Sequence, residues 1–208
     1  EGGVKNGHPE ATLNKIWEDW KKFAQYAFNK SHATCYAWVG YQTGYLKAHY
    51  PAEYMSAVLS NNMNNMDEIA KFMDDIKKHD IKILGPDVNE SFTQFTVNKQ
   101  GNVRFGMAGI KGIGENAVNS VIQEREANGI YKDVFDFIER VNLTTVNKKG
   151  IESLVGSGAF DCFQEVNRGT FAVDLGKGET FADILLRYGN KFQKNSSDAS
   201  TSLFGGDA

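Results

Sequence analysis

From Pro9 onward, Leu13, Ile16, Trp17, Trp20, Phe23, Ala24 and Ala27 recur at steps of three and four, the spacing that gathers apolar side chains on one face of a helix. Pro9 suits the first turn of such a helix, where its missing N–H would have no intrahelical acceptor. The pattern breaks at Asn29-Lys30-Ser31, and Ser31 is the expected N-cap of a second helix. In that helix Ala33, Ala37, Gly40, Gly44 and Ala48 form a narrow strip of small residues suited to close helix packing. Pro51 opens a third helix that runs to about Asn61, and Met66 to His79 reads as a fourth, with Ile69, Phe72, Met73 and Ile76 inward.

The texture changes at Ile81-Lys-Ile-Leu-Gly-Pro-Asp, a short extended run stopped by Gly85 and Pro86. Phe92-Thr-Gln-Phe-Thr-Val97 then alternates as a strand does, Asn98 to Asn102 supplies turn residues, and Val103 to Phe105 returns, which predicts a small β-hairpin. Helices follow at Asn116 to Asn128, Val134 to Val141 and Lys148 to Val155, with glycine-containing breaks between. From Asn195 the residues are small and polar, so a flexible linker is expected before Leu203-Phe204. The fold class read from these patterns is mainly α with one small β-hairpin.

Composition adds limits. The chain has 208 residues, a formal charge of −3 and two cysteines, Cys35 and Cys162. No apolar run approaches the roughly 20 residues of a membrane span, and two distant cysteines make no disulfide framework, so a cytoplasmic protein without membrane contact is expected. A slightly acidic chain is not a dedicated nucleic-acid binder of the basic-patch kind. Any contact with DNA must be local.

The sharpest local motif is Ile110-Lys-Gly-Ile-Gly-Glu-Asn116. Glycines permit positive φ and close backbone approach, so amides at the start of the following helix can point at one phosphate. Such a contact positions a protein on DNA without reading bases. A tight turn between helices explains the same glycines equally well. Asn147 to Val155, then Gly156-Ser-Gly158 and Ala159-Phe160, repeats the order helix, Gly-x-Gly, helix, with Ser157 where the first copy has Ile113. Phe28-Asn-Lys-Ser-His32 sets a cation, two hydrogen-bonding side chains and an imidazole around a helix start, an end that favours an anion such as a triphosphate. By itself this segment is better explained by an ordinary cap with solvated neighbours.

Asp74-Asp75 sits in a predicted helix, where neighbouring side chains point apart. It gets no catalytic role, because two-metal chemistry needs carboxylates that converge on ions about 4 Å apart. The histidines and cysteines show no zinc-ligand spacing.

Tyr26-Ala-Phe-Asn-Lys-Ser-His32, Cys35-Tyr-Ala37, Tyr41-Gln-Thr43 and Leu46-Lys-Ala-His-Tyr-Pro-Ala-Glu53 follow in one order, and then Ile83 to Asn89, Phe105 to Glu115 and Ser157-Gly-Ala-Phe-Asp161. Through about residue 165 this series resembles the bacterial DNA polymerase III alpha subunit, from the C-family of replicative polymerases. The resemblance implies a helical fingers-like region over 1–90, the β-hairpin over 91–107 and a tandem helix-hairpin-helix DNA-binding unit over 108–165; a C-terminal helical extension over 166–194 and the tail over 195–208 are expected beyond it. It implies nucleotide contacts from Asn29, Lys30, Ser31 and His32, and duplex contacts from Lys111, Gly112, Ile113 and Gly114. Ser200-Thr-Ser-Leu-Phe204 resembles the family's clamp-binding peptide, with Leu203 and Phe204 as anchors and Ser200 where that peptide carries glutamine.

The function so implied is DNA-templated DNA synthesis by a larger subunit, with template-primer DNA, an incoming deoxynucleoside triphosphate, the rest of the alpha subunit and the sliding clamp as partners. No cofactor is expected on this chain. Mg2+ and its paired aspartates are expected in a palm domain outside it, which leaves the chain alone inactive. Two other readings compete: a free-standing helix-hairpin-helix module of a repair protein, and a helical protein-interaction domain.

Overall fold

The computed structural model describes residues 1–26, 30–176 and 178–203, with the side chains of Tyr26 and of 197–203 left aside. The chain divides into two units, Glu1–His49 and Tyr50–Ala208.

In the first unit α1 (Gly2–Lys5) precedes α2 (Glu10–Tyr26) and α3 (Lys30–His49). Leu13 of α2 covers Gly3, where an added Cβ would lie 2.7 Å from the leucine Cδ1. The Pro9 carbonyl accepts the Thr12 and Leu13 amides, so this proline stands just ahead of the helix and not within its first turn. Along α2 the expected apolar face forms, yet Trp17, Trp20 and Phe23 remain 58%, 65% and 71% exposed. Helix α3 already includes Lys30, so Ser31 lies inside it and is not the cap that its residue type suggested. Along its strip of small residues, a Cβ on Gly40 or Gly44 would meet nothing within 4 Å among the described residues of this unit.

The second unit begins with α4 (Pro51–Asn61) and α5 (Met66–Lys77), both as predicted. Asn65 caps α5 by accepting the Glu68 amide. Ile69 and Ile76 are buried, with Phe72 and Met73 half-buried beside them. These helices pack on a sheet of three two-residue strands, β1 (Ile83–Leu84), β2 (Thr96–Val97) and β3 (Val103–Arg104), in the order β1-β3-β2. The predicted hairpin is the antiparallel β2–β3 pair, Thr96 opposite Arg104 and Val97 opposite Val103. The parallel partner β1, with Ile83 opposite Val103, is an addition that the run Ile81 to Leu84 did not announce. The ladder is also shorter than the alternation from Phe92 implied. Gly106 presses on the opposite arm, where a Cβ would meet the Gln94 carbonyl carbon at 2.5 Å. Past that crossing the Met107 and Ala108 amides bond the Phe92 and Thr93 carbonyls outside any ladder.

A larger core lies among α6 (Glu115–Asn128), α7 (Val134–Arg140), α8 (Lys148–Ser157), α9 (Arg168–Ala172) and α10 (Phe181–Leu203). Phe137, Ile138, Ile151 and Leu154 are wholly buried at its centre, each contributing about 1.5–3 kcal/mol by leaving water. Two arginines fasten the loops to these helices. Arg125 is 7% exposed, donates to the Val88 and Ser91 carbonyls and lies over the Phe92 ring. Arg140 pairs with Glu124 and Asp136 and stacks on Tyr131.

Two expectations change here. The second Gly-x-Gly does not join two helices: Gly156 lies inside α8, and Gly158, at φ +88°, is the left-handed C-cap that ends it. A series of turns follows until α9 opens at Arg168. At the other end, α10 runs to Leu203 through the stretch expected to be a linker. Between Asn190 and Leu203 the sequence has neither glycine nor proline to interrupt the helix.

Candidate nucleic-acid interface

The segment after β3 is held at two points. Ile110 and Ile113 turn into the core at 7% and 9% exposure, while Lys111, Gly112 and Gly114 stay exposed between and beyond them. The apolar pair thus pins a loop in which Gly112 is turned toward α8 and Gly114 toward open space. Gly112 has φ +99°, a conformation that a residue with a Cβ reaches only under strain. Gly114 differs: its φ of −84° and ψ of 152° are ordinary, and a Cβ there would meet nothing within 4 Å. Neither strain nor packing therefore requires glycine at 114.

Gly114 is the N-cap of α6 and offers no side chain to the amides above it. Its carbonyl accepts the Ala117 and Val118 amides, but those of Glu115 and Asn116 find no acceptor among the described residues. Unpaired amides at the positive end of a 14-residue helix are donors of the kind that attract an anion. Glu115, in the first turn, offsets part of that attraction.

The loop rests on α8. A Cβ on Gly112 would fall 2.5 Å from the Ser153 hydroxyl oxygen and 3.5 Å from Lys149 Cε, and one on Gly150 would lie 3.9 Å from both Ile113 and Val146. Helix α8 is itself the second half of a helix–turn–helix formed by α7, the turn 142–147 and α8. Asn147 caps α8 by accepting the Gly150 amide at 3.1 Å. Gln193 of α10 donates to the carbonyls of Ile138, Glu139 and Val141 at the end of α7. The turn of this helix–turn–helix is Asn142-Leu-Thr-Thr-Val-Asn147, which carries no glycine, whereas the first loop is entered from a single 3-10 turn, Met107–Gly109, and leads into α6. The signal that the two share is a buried aliphatic residue before the cap, Ile113-Gly114 and Val146-Asn147.

Charge around the turns is mixed. Lys148 is bonded to Asp183 at 2.7 Å, which raises the lysine above its usual pKa. The same ammonium, with the Thr180 amide and hydroxyl, holds Asp183 at about 2. Lys111 and Lys149 are exposed and form no ion pair among the described residues.

The other expected sites are less developed. Lys30, Ser31 and His32 are exposed in the first turn of α3, and the His32 ring lies 4.3 Å from that of Tyr36. Asn29 and Phe204 lie outside the described residues, and Leu203 is the last residue of α10. Asp74, on the exposed side of α5, pairs with Lys77 at 2.8 Å. Among the described residues no group of three or more His, Cys, Asp or Glu side chains is placed to share a metal ion, and no helix is long and apolar enough to cross a membrane. Burial pushes the Cys162 thiol up to about 12, which makes it a poor nucleophile.

A model of the helix-hairpin-helix motif matches residues 80–171. The DNA polymerase III subunit alpha of Haemophilus influenzae is 39% identical over 205 residues, covering 99% of this chain and 17% of that protein. The namesake from Pasteurella multocida is 43% identical over 77% of the chain and 14% of its own length, and that of Neisseria meningitidis 40% identical over 88% and 16%. The chain thus spans about one-sixth of the length of these relatives.

Proposed function

We propose that this chain, which is homologous to one stretch of the bacterial DNA polymerase III alpha subunits, serves such a subunit as a duplex-gripping and nucleotide-facing part. The observation that carries the reading is the exposed loop Gly112–Gly114, with unpaired amides behind it and open space at Gly114. A phosphate of the template-primer backbone fits that description, since it needs amide donors and close approach and no base-reading side chains. Similarity that runs through both units of the chain favours a polymerase segment over a free-standing hairpin module.

In the full-length subunit Lys30, Ser31 and His32, with Asn29 before them, meet the triphosphate of the incoming nucleotide. Leu203 and Phe204 are the anchors of a clamp-binding peptide. Among the described residues no three His, Cys, Asp or Glu side chains gather to share a metal ion; this reading assigns Mg2+ and the carboxylates for nucleotidyl transfer to the rest of the subunit, with the chain alone inactive.

Duplex binding by the full-length polypeptide tests the reading. Two unrelated sequences should bind equally, with log K falling linearly against log salt as counterions are released. Binding that ignores salt, or that prefers one sequence strongly, contradicts it. For the nucleotide edge, Lys30→Ala and His32→Ala should raise the nucleotide KM or lower turnover, and unchanged values remove that role.

A further inference from the structure

We propose that Lys149 of α8 is a phosphate contact of the first hairpin, so that the Gly112–Gly114 site is completed by a cation from the second helix–turn–helix. This inference rests on the duplex-gripping role proposed above. Three observations carry it. The Cε of Lys149 lies 3.5 Å from where a Gly112 Cβ would stand, which puts the ammonium, one bond further, beside the exposed loop. Lys149 is itself exposed and has no ion pair among the described residues. Its neighbour Lys148 is spoken for, bonded to Asp183 at 2.7 Å and 3.9 Å from Glu152.

Consecutive residues on a helix point in different directions, and here the two lysines divide the work. Lys148 ties α8 to α10, and Lys149 is left for the loop. A site with the Glu115 and Asn116 amides, Lys111 on the loop and Lys149 across from it surrounds a single phosphate with donors from two helices. The absence of a basic patch is then no obstacle, because the positive charge is brought to one point. Lysine is suited to this as a compact point charge that needs no fixed fork.

The test measures duplex affinity against salt for the full-length polypeptide with Lys149→Gln, Lys149→Arg and Lys148→Gln. Loss of one phosphate contact lowers the slope of log K against log salt by about 0.9. Lys149→Gln should show that loss and a several-fold weaker affinity with an unchanged unfolding midpoint, Lys149→Arg should restore the slope, and Lys148→Gln should keep it. A wild-type slope in Lys149→Gln, when the wild type itself binds duplex in a salt-dependent way, overturns this assignment and leaves the hairpin reading standing. A wild type without salt-dependent duplex binding overturns both.

Discussion

Gly112 and Ser153 approach so closely that a methyl group on the glycine would come within 2.5 Å of the serine hydroxyl oxygen. The first hairpin and α8 are therefore in direct contact, and the glycine is required twice, by its φ of +99° and by this neighbour. Gly112→Ala should destabilise the chain by about 1–3 kcal/mol, the range for a residue held in a sparsely populated conformation. Adding Ser153→Ala should return part of that loss by removing the overlapping oxygen. Denaturant unfolding of the two single variants and the double variant reads the coupling.

A second prediction concerns Arg125, whose guanidinium satisfies two buried carbonyls at 2.9 and 2.8 Å. Arg125→Met keeps much of the side-chain volume but leaves the Val88 and Ser91 oxygens without their donor. It should cost about 2–3 kcal/mol and speed hydrogen exchange in residues 87–92. Unaltered stability would mean that the loop is held by its other contacts, among them Asn89 on the Tyr131 backbone.

The pair Lys148–Asp183 predicts a pH dependence. The folded carboxyl, held at about 2 by the Lys148 ammonium and then by the Thr180 amide and hydroxyl, lies below the unfolded value near ~3.9. A depressed folded pKa gives stability that is present above the unfolded pKa and is lost as pH falls through the folded one. Between about pH 4 and 2, Asp183→Asn should therefore lose less stability than the wild type, while near neutrality it should be the less stable of the two. Parallel acid-unfolding curves would show that this pair contributes nothing.

Much of this was legible in the sequence where one residue type has one job. Pro51 marks a helix start, Ile69 and Ile76 mark the inner face, and the glycines of Lys111-Gly-Ile-Gly114 mark an exposed loop. Long-range pairing was not legible: β1 is two residues long, and nothing in Ile83-Leu84 names Val103 and Arg104 as partners. The second turn escaped because its reversal uses Asn142 and Asn147, whose carbonyl and side chain accept the turn's amides without a positive-φ glycine. Gly156 and Gly158 imitate the first motif in sequence but lie inside and at the end of α8, one helix beyond the turn. Residue type alone does not separate Ser31 as a cap from a serine inside a first turn, because the two look the same in sequence. The exposed Trp17, Trp20 and Phe23 show a further limit: periodicity reveals an apolar face, but not what covers it.

Gly114→Asp tests the central claim most directly, because fold and function pull it in opposite directions. Aspartate is a preferred N-cap, the site has room for its Cβ, and its ordinary backbone angles accept any residue. Folding stability should hold or rise by a few tenths of a kcal/mol. A carboxylate there accepts the Asn116 amide and repels a phosphate. Duplex affinity of the full-length polypeptide, measured beside its unfolding midpoint, should fall at least tenfold while the midpoint stays level or climbs. A variant that folds as well and grips duplex DNA as tightly as the wild type would contradict the account.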